Sequence, residues 1–326
     1  MKAMTNSAHK PVATAQEKCG GFSTLRDFVI LVGSILWCLI SSAFSVVFQT
    51  KPKKSLKEEI VLVTGAANGL GKELTLKFAK EGAVLVLWDI DEKGIQNVSS
   101  EIKSRGGAAH AYLCDISDND QVQQVGKRVQ QEVGDISIVV NNAGILQNVL
   151  FTDLDPAKIR KTLEVNVLSH FWINRFFLPR MIENGKGHIV ATASVAGLQG
   201  WLYLTDYSAS KFAILGMMES LEEDMRHLGL SDRIHFTTVC PITINTGMNQ
   251  NPTTRLPSLV PILKVEETAD IIVHAIQRNE RLVTVPRSLL HPLLFLRLFP
   301  RKVAQLIFDF VEYNQLPNSQ EKQNSL

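Results

Sequence analysis

From residue 60 onward, short unbroken apolar runs alternate with longer stretches whose apolar residues recur every three or four positions, the marks of buried strand and amphipathic helix. Ile60–Thr64 predicts the first strand, with glycines and then a helix from about Gly69 to Lys80 behind it. Ala83–Asp89 predicts a second strand, Glu92–Arg105 a polar-faced helix, Ala108–Cys114 a third strand and about Asp118–Val133 another helix. Ile136–Asn141 is the fourth strand, and a long helix is expected to follow Pro156, a residue suited to a first helical turn. Gly187–Ser194 then reads as strand, Tyr207–His227 as helix, Arg233–Cys240 as strand, Val265–Arg278 as helix and Leu282–Val285 as a last strand. Apolar strands separated by helices imply a parallel sheet covered on both faces. The expectation is an α/β, doubly wound parallel sheet in a single domain over residues 59–286.

The ends of the chain carry a different pattern. Residues 1–27 are polar, and Phe28–Phe48 then runs for 21 residues without a charge, which as a helix spans roughly 30 Å, about the thickness of a hydrocarbon core. A membrane anchor over 28–48 is expected, ahead of a core helix, a cleaved signal peptide or a hairpin dipping into one leaflet. Lys51, Lys53, Lys54 and Lys57 crowd the basic linker at 49–58, so the positive-inside rule turns the main domain to the cytosol. Residues 287–313 are apolar with Arg297, Arg301 and Lys302 interspersed and prolines at 292 and 300, which predicts an amphipathic segment lying on a membrane or capping a cleft, with packing against the sheet as the competitor. A polar, disordered tail is expected over 314–326.

Composition narrows the function classes. Hydrophobic residues at 45% and charged residues at 20% suit a globular domain with a full core, and a net charge of +2 gives no nucleic-acid footprint. Cys19, Cys38, Cys114 and Cys240 form no C-x-x-C pair, and the histidines show no ligand spacing, so neither a disulfide framework nor a metal site is expected.

The candidate chemistry lies behind the strands. The turn Thr64-Gly65-Ala66-Ala67-Asn68-Gly69-Leu70-Gly71 joins the first strand to the first helix, where glycines let the backbone approach a pyrophosphate and a helix N-terminus offers N–H donors. Asp89 ends the second strand, eighteen residues beyond Gly71. A carboxylate there can accept from both ribose hydroxyls and repels a 2′-phosphate, which favours NAD over NADP; it can equally cap the next helix. Asp115, closing the third strand, is open to the same two readings, adenine contact or cap. Tyr207 and Lys211 stand four residues apart on one face of a helix. A tyrosine titrates near ~10, and an adjacent ammonium favours its phenolate. Ser194 at the end of the fifth strand lies where ligands of open α/β sheets bind.

With these motifs the chain resembles the classical short-chain dehydrogenase/reductase family over about Glu59 to Pro286. The T-G-x-x-x-G-x-G turn is Thr64 to Gly71, the N-N-A-G signature is Asn141-Asn142-Ala143-Gly144, and Asn166, Ser194, Tyr207 and Lys211 match the family's catalytic tetrad. The resemblance implies a Rossmann fold in which Tyr207 exchanges the alcohol proton, Ser194 stabilises the substrate oxygen, Lys211 holds the nicotinamide ribose and tunes Tyr207, and Asn166 supports a water-linked relay. It implies cofactor contacts from Thr64, Gly65, Asn68, Gly69, Leu70, Gly71, Asp89, Asp115, Asn142, Ala143, Gly144, Tyr207, Lys211 and Thr246. After the sixth strand the family's P-G motif is replaced by Pro241-Ile242. Within the family the chain looks like the membrane-bound branch of epidermal-type retinol dehydrogenases and 17β-hydroxysteroid dehydrogenases. That likeness implies an NAD-dependent enzyme at the endoplasmic reticulum or lipid droplet, interconverting a lipophilic alcohol and its carbonyl, retinol and retinal first and a steroid second. It also implies a homodimer. A lipid-droplet or reticulum surface protein with a lipid-binding role is the competing class. Gly197–Leu204 and 247–263 are expected to line the substrate cleft.

Overall fold

The computed structural model describes residues 21–48, 52–246, 254–258 and 260–311, which fall into two units, 1–52 and 53–326. The first contains helix α1 (Gly21–Phe48), and among the described residues no helix is long and apolar enough to cross a membrane. Arg26 and Asp27 pair at its start, and the hydroxyls of Ser34 and Ser41 turn back to the Ile30 and Cys38 carbonyls. Because no helix among the described residues is long and apolar enough to cross a membrane, the anchor expected over 28–48 is overturned. The membrane partner, the reticulum or lipid-droplet location and the cytosol-facing orientation rested on that anchor and fall with it. The disordered tail expected over 314–326 lies outside the described residues, as do 1–20 of the polar leader.

The second unit is built on one sheet. Its strands are β1 (Ile60–Thr64), β2 (Val84–Asp89), β3 (Ala108–Leu113), β4 (Ile138–Asn141), β5 (Gly187–Thr192), β6 (Ile234–Pro241) and β7 (Leu282–Val285). All pairs are parallel, in the order β3-β2-β1-β4-β5-β6-β7, so the strand order reverses direction between β1 and β4. Alternation of side chains splits the core in two. Leu62, Val86 and Trp88 face one layer with Phe177 and Met181, while Val61, Val63, Leu85 and Leu87 face the other with Leu74 and Phe78. This is the doubly wound sheet that the apolar strand runs predict.

The helices follow from spacing and caps. Helix α2 (Gly69–Lys80) buries Leu70, Leu74 and Phe78. In α3 (Glu92–Ser104) Ile95, Val98 and Ile102 face inward, and in α4 (Asn119–Glu132) Val122, Val125 and Val129 do so. Asp91 and Asp118 cap those two helices, and Asp155 caps α5 (Pro156–Leu163). The long helix expected after Pro156 is not continuous. A π-helical turn at Glu164–Leu168 separates α5 from α6 (Ser169–Asn184), and Asn166 sits within that turn. Beyond it come α7 (Thr205–His227), α8 (Val265–Gln277), α9 (Leu290–Leu296) and α10 (Arg301–Val311).

Candidate active site

A cavity of about 680 Å³ opens at the C-terminal ends of the strands, against the β1/β4 reversal. Its floor is the glycine turn. Gly65 and Gly69 have φ of +68° and +54°, the left-handed region that glycine tolerates. At Gly71 a Cβ would lie 1.9 Å from the Gly65 carbonyl oxygen and 2.6 Å from Asn142 Nδ2, so the helix starts hard against the turn. Asn68, the residue before α2, makes no side-chain cap, in contrast to Asp91, Asp118 and Asp155. The first N–H groups of α2 thus stay available beside the cavity, which fits a bound pyrophosphate.

Thr64 ties this turn to the fourth strand. Its hydroxyl accepts from the backbone N–H of Asn142 (3.0 Å) and of Ala143 (3.1 Å), and Asn142 Nδ2 donates to the Thr64 carbonyl (3.0 Å). Gly65, Asn68, Gly69, Leu70, Gly71, Asn142, Ala143 and Gly144 all line the cavity, whereas Thr64 acts from behind it. Asp89 also lines it, with Oδ2 accepting from Ala67 N and Oδ1 from Asp91 N, both at 3.0 Å. The cap of α3 is Asp91, not Asp89, so Asp89 stays at the cavity rim. Asp115 is on the wall, bonded to Ser117 and 3.4 Å from Lys161 Nζ. Partial burial disfavours its charge, but the Ser117 bonds and then Lys161 outweigh it, and the carboxyl sits below its ordinary value. Thr246 lines the far side, its Cβ 3.4 Å from where a Gly69 Cβ would stand.

Ser194, Tyr207 and Lys211 meet on the opposite wall. Tyr207 and Lys211 come from the first turns of α7, with Lys211 Nζ 5.4 Å from the Tyr207 ring centre and donating to the Thr192 carbonyl at 2.8 Å. The Ser194 hydroxyl accepts from Ala196 N (3.1 Å) and points to the Pro241 carbonyl (3.4 Å). Burial pushes the Tyr207 phenol up to about 12, with Ser194 pulling the other way, and burial brings the Lys211 ammonium down to about 8. At neutral pH the site therefore holds a phenol beside an ammonium: a proton donor next to a positive charge. Asn166 is fully buried and does not reach the cavity. Its Oδ1 accepts from Ile145 N (2.8 Å) while Nδ2 donates to Ile145 O (2.9 Å) and to Ser210 Oγ (3.1 Å). Its side chain clamps the segment that follows Gly144.

The remaining wall is apolar. Ile145, Leu146, Trp201, Leu204 and Ile242 line it, so the expected Gly197–Leu204 segment contributes Trp201 and Leu204, while 247–253 lies outside the described residues. Phe308 of α10 stacks on Trp201 with ring centres 5.1 Å apart. Arg297 lies over the Phe212 ring at 5.3 Å, and Arg255 N donates to Val311 O at 3.1 Å. Residues 287–311 thus pack on the domain, with Leu293 buried in its core and Phe308 against a residue of the cavity wall. Sequence reasoning missed Lys161 and the Thr192 carbonyl. The first looks like any surface lysine, and a main-chain oxygen leaves no trace in side-chain identity.

Comparison with known proteins agrees with this geometry. Residues 59–256 match the family model described as short chain dehydrogenase. Epidermal retinol dehydrogenase 2 from Homo sapiens is 40% identical over 291 residues, covering 89% of this chain and 93% of that protein. Short-chain dehydrogenase/reductase family 16C member 6 from Bos taurus is 41% identical over 276 residues, 84% of this chain and 86% of that one. 17-beta-hydroxysteroid dehydrogenase 13 from Homo sapiens is 38% identical over 262 residues, 80% and 86% respectively. Among solved structures, a short chain dehydrogenase/reductase from Burkholderia phymatum in complex with NAD superposes with a TM-score of 0.66 at 25% identity, covering 73% of this chain and 92% of that one. The likeness to retinol and 17β-hydroxysteroid dehydrogenases stands; its membrane-bound qualifier does not, since no described helix is long and apolar enough to cross a membrane.

Proposed function

The chain belongs to the short chain dehydrogenase family and is an NAD(P)-dependent oxidoreductase, and on that premise we propose that it interconverts a lipophilic alcohol and its carbonyl, a retinol-like alcohol before a steroid-like one, with NAD preferred. The observation that carries this reading is the continuity of one cavity from the glycine turn, past Ser194 and Tyr207, to the apolar wall at Trp201 and Leu204. A dinucleotide fits the first part and a lipophilic substrate the last, so the reacting carbon and the nicotinamide meet beside the phenol.

Bound NAD supplies the hydride acceptor, and its reduced form the donor. The protein supplies the rest. Ser194 Oγ and Tyr207 Oη hydrogen-bond the substrate oxygen, and Tyr207 gives its proton to that oxygen in reduction or removes it in oxidation. The Lys211 charge favours the phenolate left behind. Asn166 acts at one remove by fixing Ile145 in the wall. The Asp89 carboxylate at the cavity rim supports NAD over NADP, because a 2′-phosphate would meet a second negative charge. Retinol comes first because relatives named for it match at 39% and 40% identity; the relatives named for 17β-dehydrogenases, at 37% and 38%, give the second reading.

Tyr207→Phe is the test. It removes one oxygen from the proton-transfer position and leaves the cofactor site intact, so turnover of retinoid and steroid alcohols should fall by at least about 10³-fold with NAD binding preserved. Retained turnover overturns the assignment.

A further inference from the structure

The segment that holds Asn166 carries another buried polar side chain one turn further on. His170, in α6, is 1% exposed, and neither of its ring nitrogens has a protein partner. A neutral imidazole presents one donor and one acceptor, and buried polar atoms of that kind are ordinarily satisfied, by protein or by ordered water. Asn166 offers it nothing, since both ends of that amide are committed to Ile145 and Ser210.

The charged group whose field reaches His170 is Lys211. Burial and then the Lys211 ammonium press the imidazole down to about 3, which keeps it neutral and leaves one nitrogen lone pair free to accept. Lys211 enters the same small space as Asn166: a Cβ on Gly144 would lie 3.3 Å from Asn166 Oδ1 and 3.6 Å from Lys211 Nζ. One N–H of Lys211 goes to the Thr192 carbonyl. An ammonium has three such donors, and a buried one is held charged only by the acceptors around it. Cys240 also faces Lys211 from β6, but burial pushes its thiol up to about 12, so it adds no charge at working pH. The nicotinamide ribose takes a second donor when the cofactor is bound, which leaves a third, and the unpartnered acceptor among these side chains is His170.

We propose that His170 is a positioning residue for the reaction, accepting a hydrogen bond from the Lys211 ammonium through one bound water and so fixing that ammonium against Tyr207. The inference rests on the reading of Tyr207 and Lys211 given above. Loss of the acceptor makes the ammonium easier to deprotonate, and the alkaline limb of carbonyl reduction then moves to lower pH.

The experiment measures kcat and KM against pH for the full chain, with NADH and whichever retinoid or steroid carbonyl the wild type reduces. His170→Leu should lose about tenfold in kcat with KM within about twofold, and its alkaline limb should fall by roughly half a pH unit or more. His170→Gln, which keeps a donor and an acceptor, should restore both. A His170→Leu profile superimposable on wild type overturns the proposal, as does a His170→Gln profile displaced equally, which marks packing alone. If the leucine variant does not fold, His170→Phe, which keeps a planar ring without a donor or acceptor, carries the test, and an unmoved limb there overturns the proposal. Tyr207→Phe in parallel separates the two readings. A dead Tyr207→Phe beside an unaltered His170→Leu sinks only the positioning role, whereas an active Tyr207→Phe sinks both.

Discussion

The Asp89 carboxylate has both oxygens engaged at the edge of the cofactor turn, one on Ala67 N and one on Asp91 N, while the separate cap of α3 falls to Asp91. Its charge is therefore held at the cavity rim by main-chain donors from two segments. Asp89→Ala should lower the NAD-over-NADP preference in kcat/KM by about tenfold or more, with the larger change in KM; steady-state kinetics with both cofactors checks it, and an unchanged ratio would place discrimination elsewhere. Residues whose function depends on backbone geometry or fixed spacing were readable in the sequence: the glycines of the turn, Asp89, and the Tyr207–Lys211 pair behind Ser194. The Asn166 amide was legible as a motif position but not as the clamp on Ile145, because its partners are main-chain atoms 21 residues away. Lys161 and the Thr192 carbonyl were invisible for the same kind of reason: contact partners are set by the fold, not by the local string.

Helices and strands were legible to different depths. All seven strand runs begin and end within two residues of the structure's limits, since an unbroken apolar run between glycines or polar turns has few alternatives in a parallel sheet. The π-helical turn at Glu164–Leu168 was not, because one extra residue per turn shifts hydrogen-bond partners without changing composition. The apolar run from Phe28 misled: a charge-free stretch of suitable length does not by itself make a span, and among the described residues no helix is long and apolar enough for one. The C-terminal segment left three placements open, and its contacts are with the domain: α10 reaches Trp201 through Phe308, Arg297 lies over Phe212 and Leu293 is buried in the core. An aromatic pair of this kind contributes about 0.5–1.5 kcal/mol beyond simple burial. Phe308→Ala should therefore raise KM for a lipophilic substrate by about two- to tenfold while leaving NAD affinity unchanged, as paired titrations would show. An equal loss of NAD binding would mean that α10 supports the whole site and not the substrate end.

At the scale of the molecule, two buried histidines make folding sensitive to mild acid. His170 is pressed to about 3 by burial and Lys211, and His188 well below its ordinary value by burial, Lys54 and His235. The unfolded chain takes up a proton at each near pH 6.5 and the native chain does not, so the unfolded state binds more protons in this window and stability falls as pH drops below about 6.5. Each contributes about 1.4 kcal/mol per pH unit there. Urea unfolding between pH 7 and 5 should show that slope, and His170→Gln should remove about half of it; a flat profile would mean that the native state takes up these protons too.

The Thr64 hydroxyl joins two segments 78 residues apart, holding Asn142 and Ala143 to the end of β1 at the point where the sheet reverses. Backbone donors on one strand are thereby locked to a side chain on its neighbour, so the crevice is a fixed slot and not a hinge. A local opening of the cofactor seat would therefore have to break the β1–β4 junction with it.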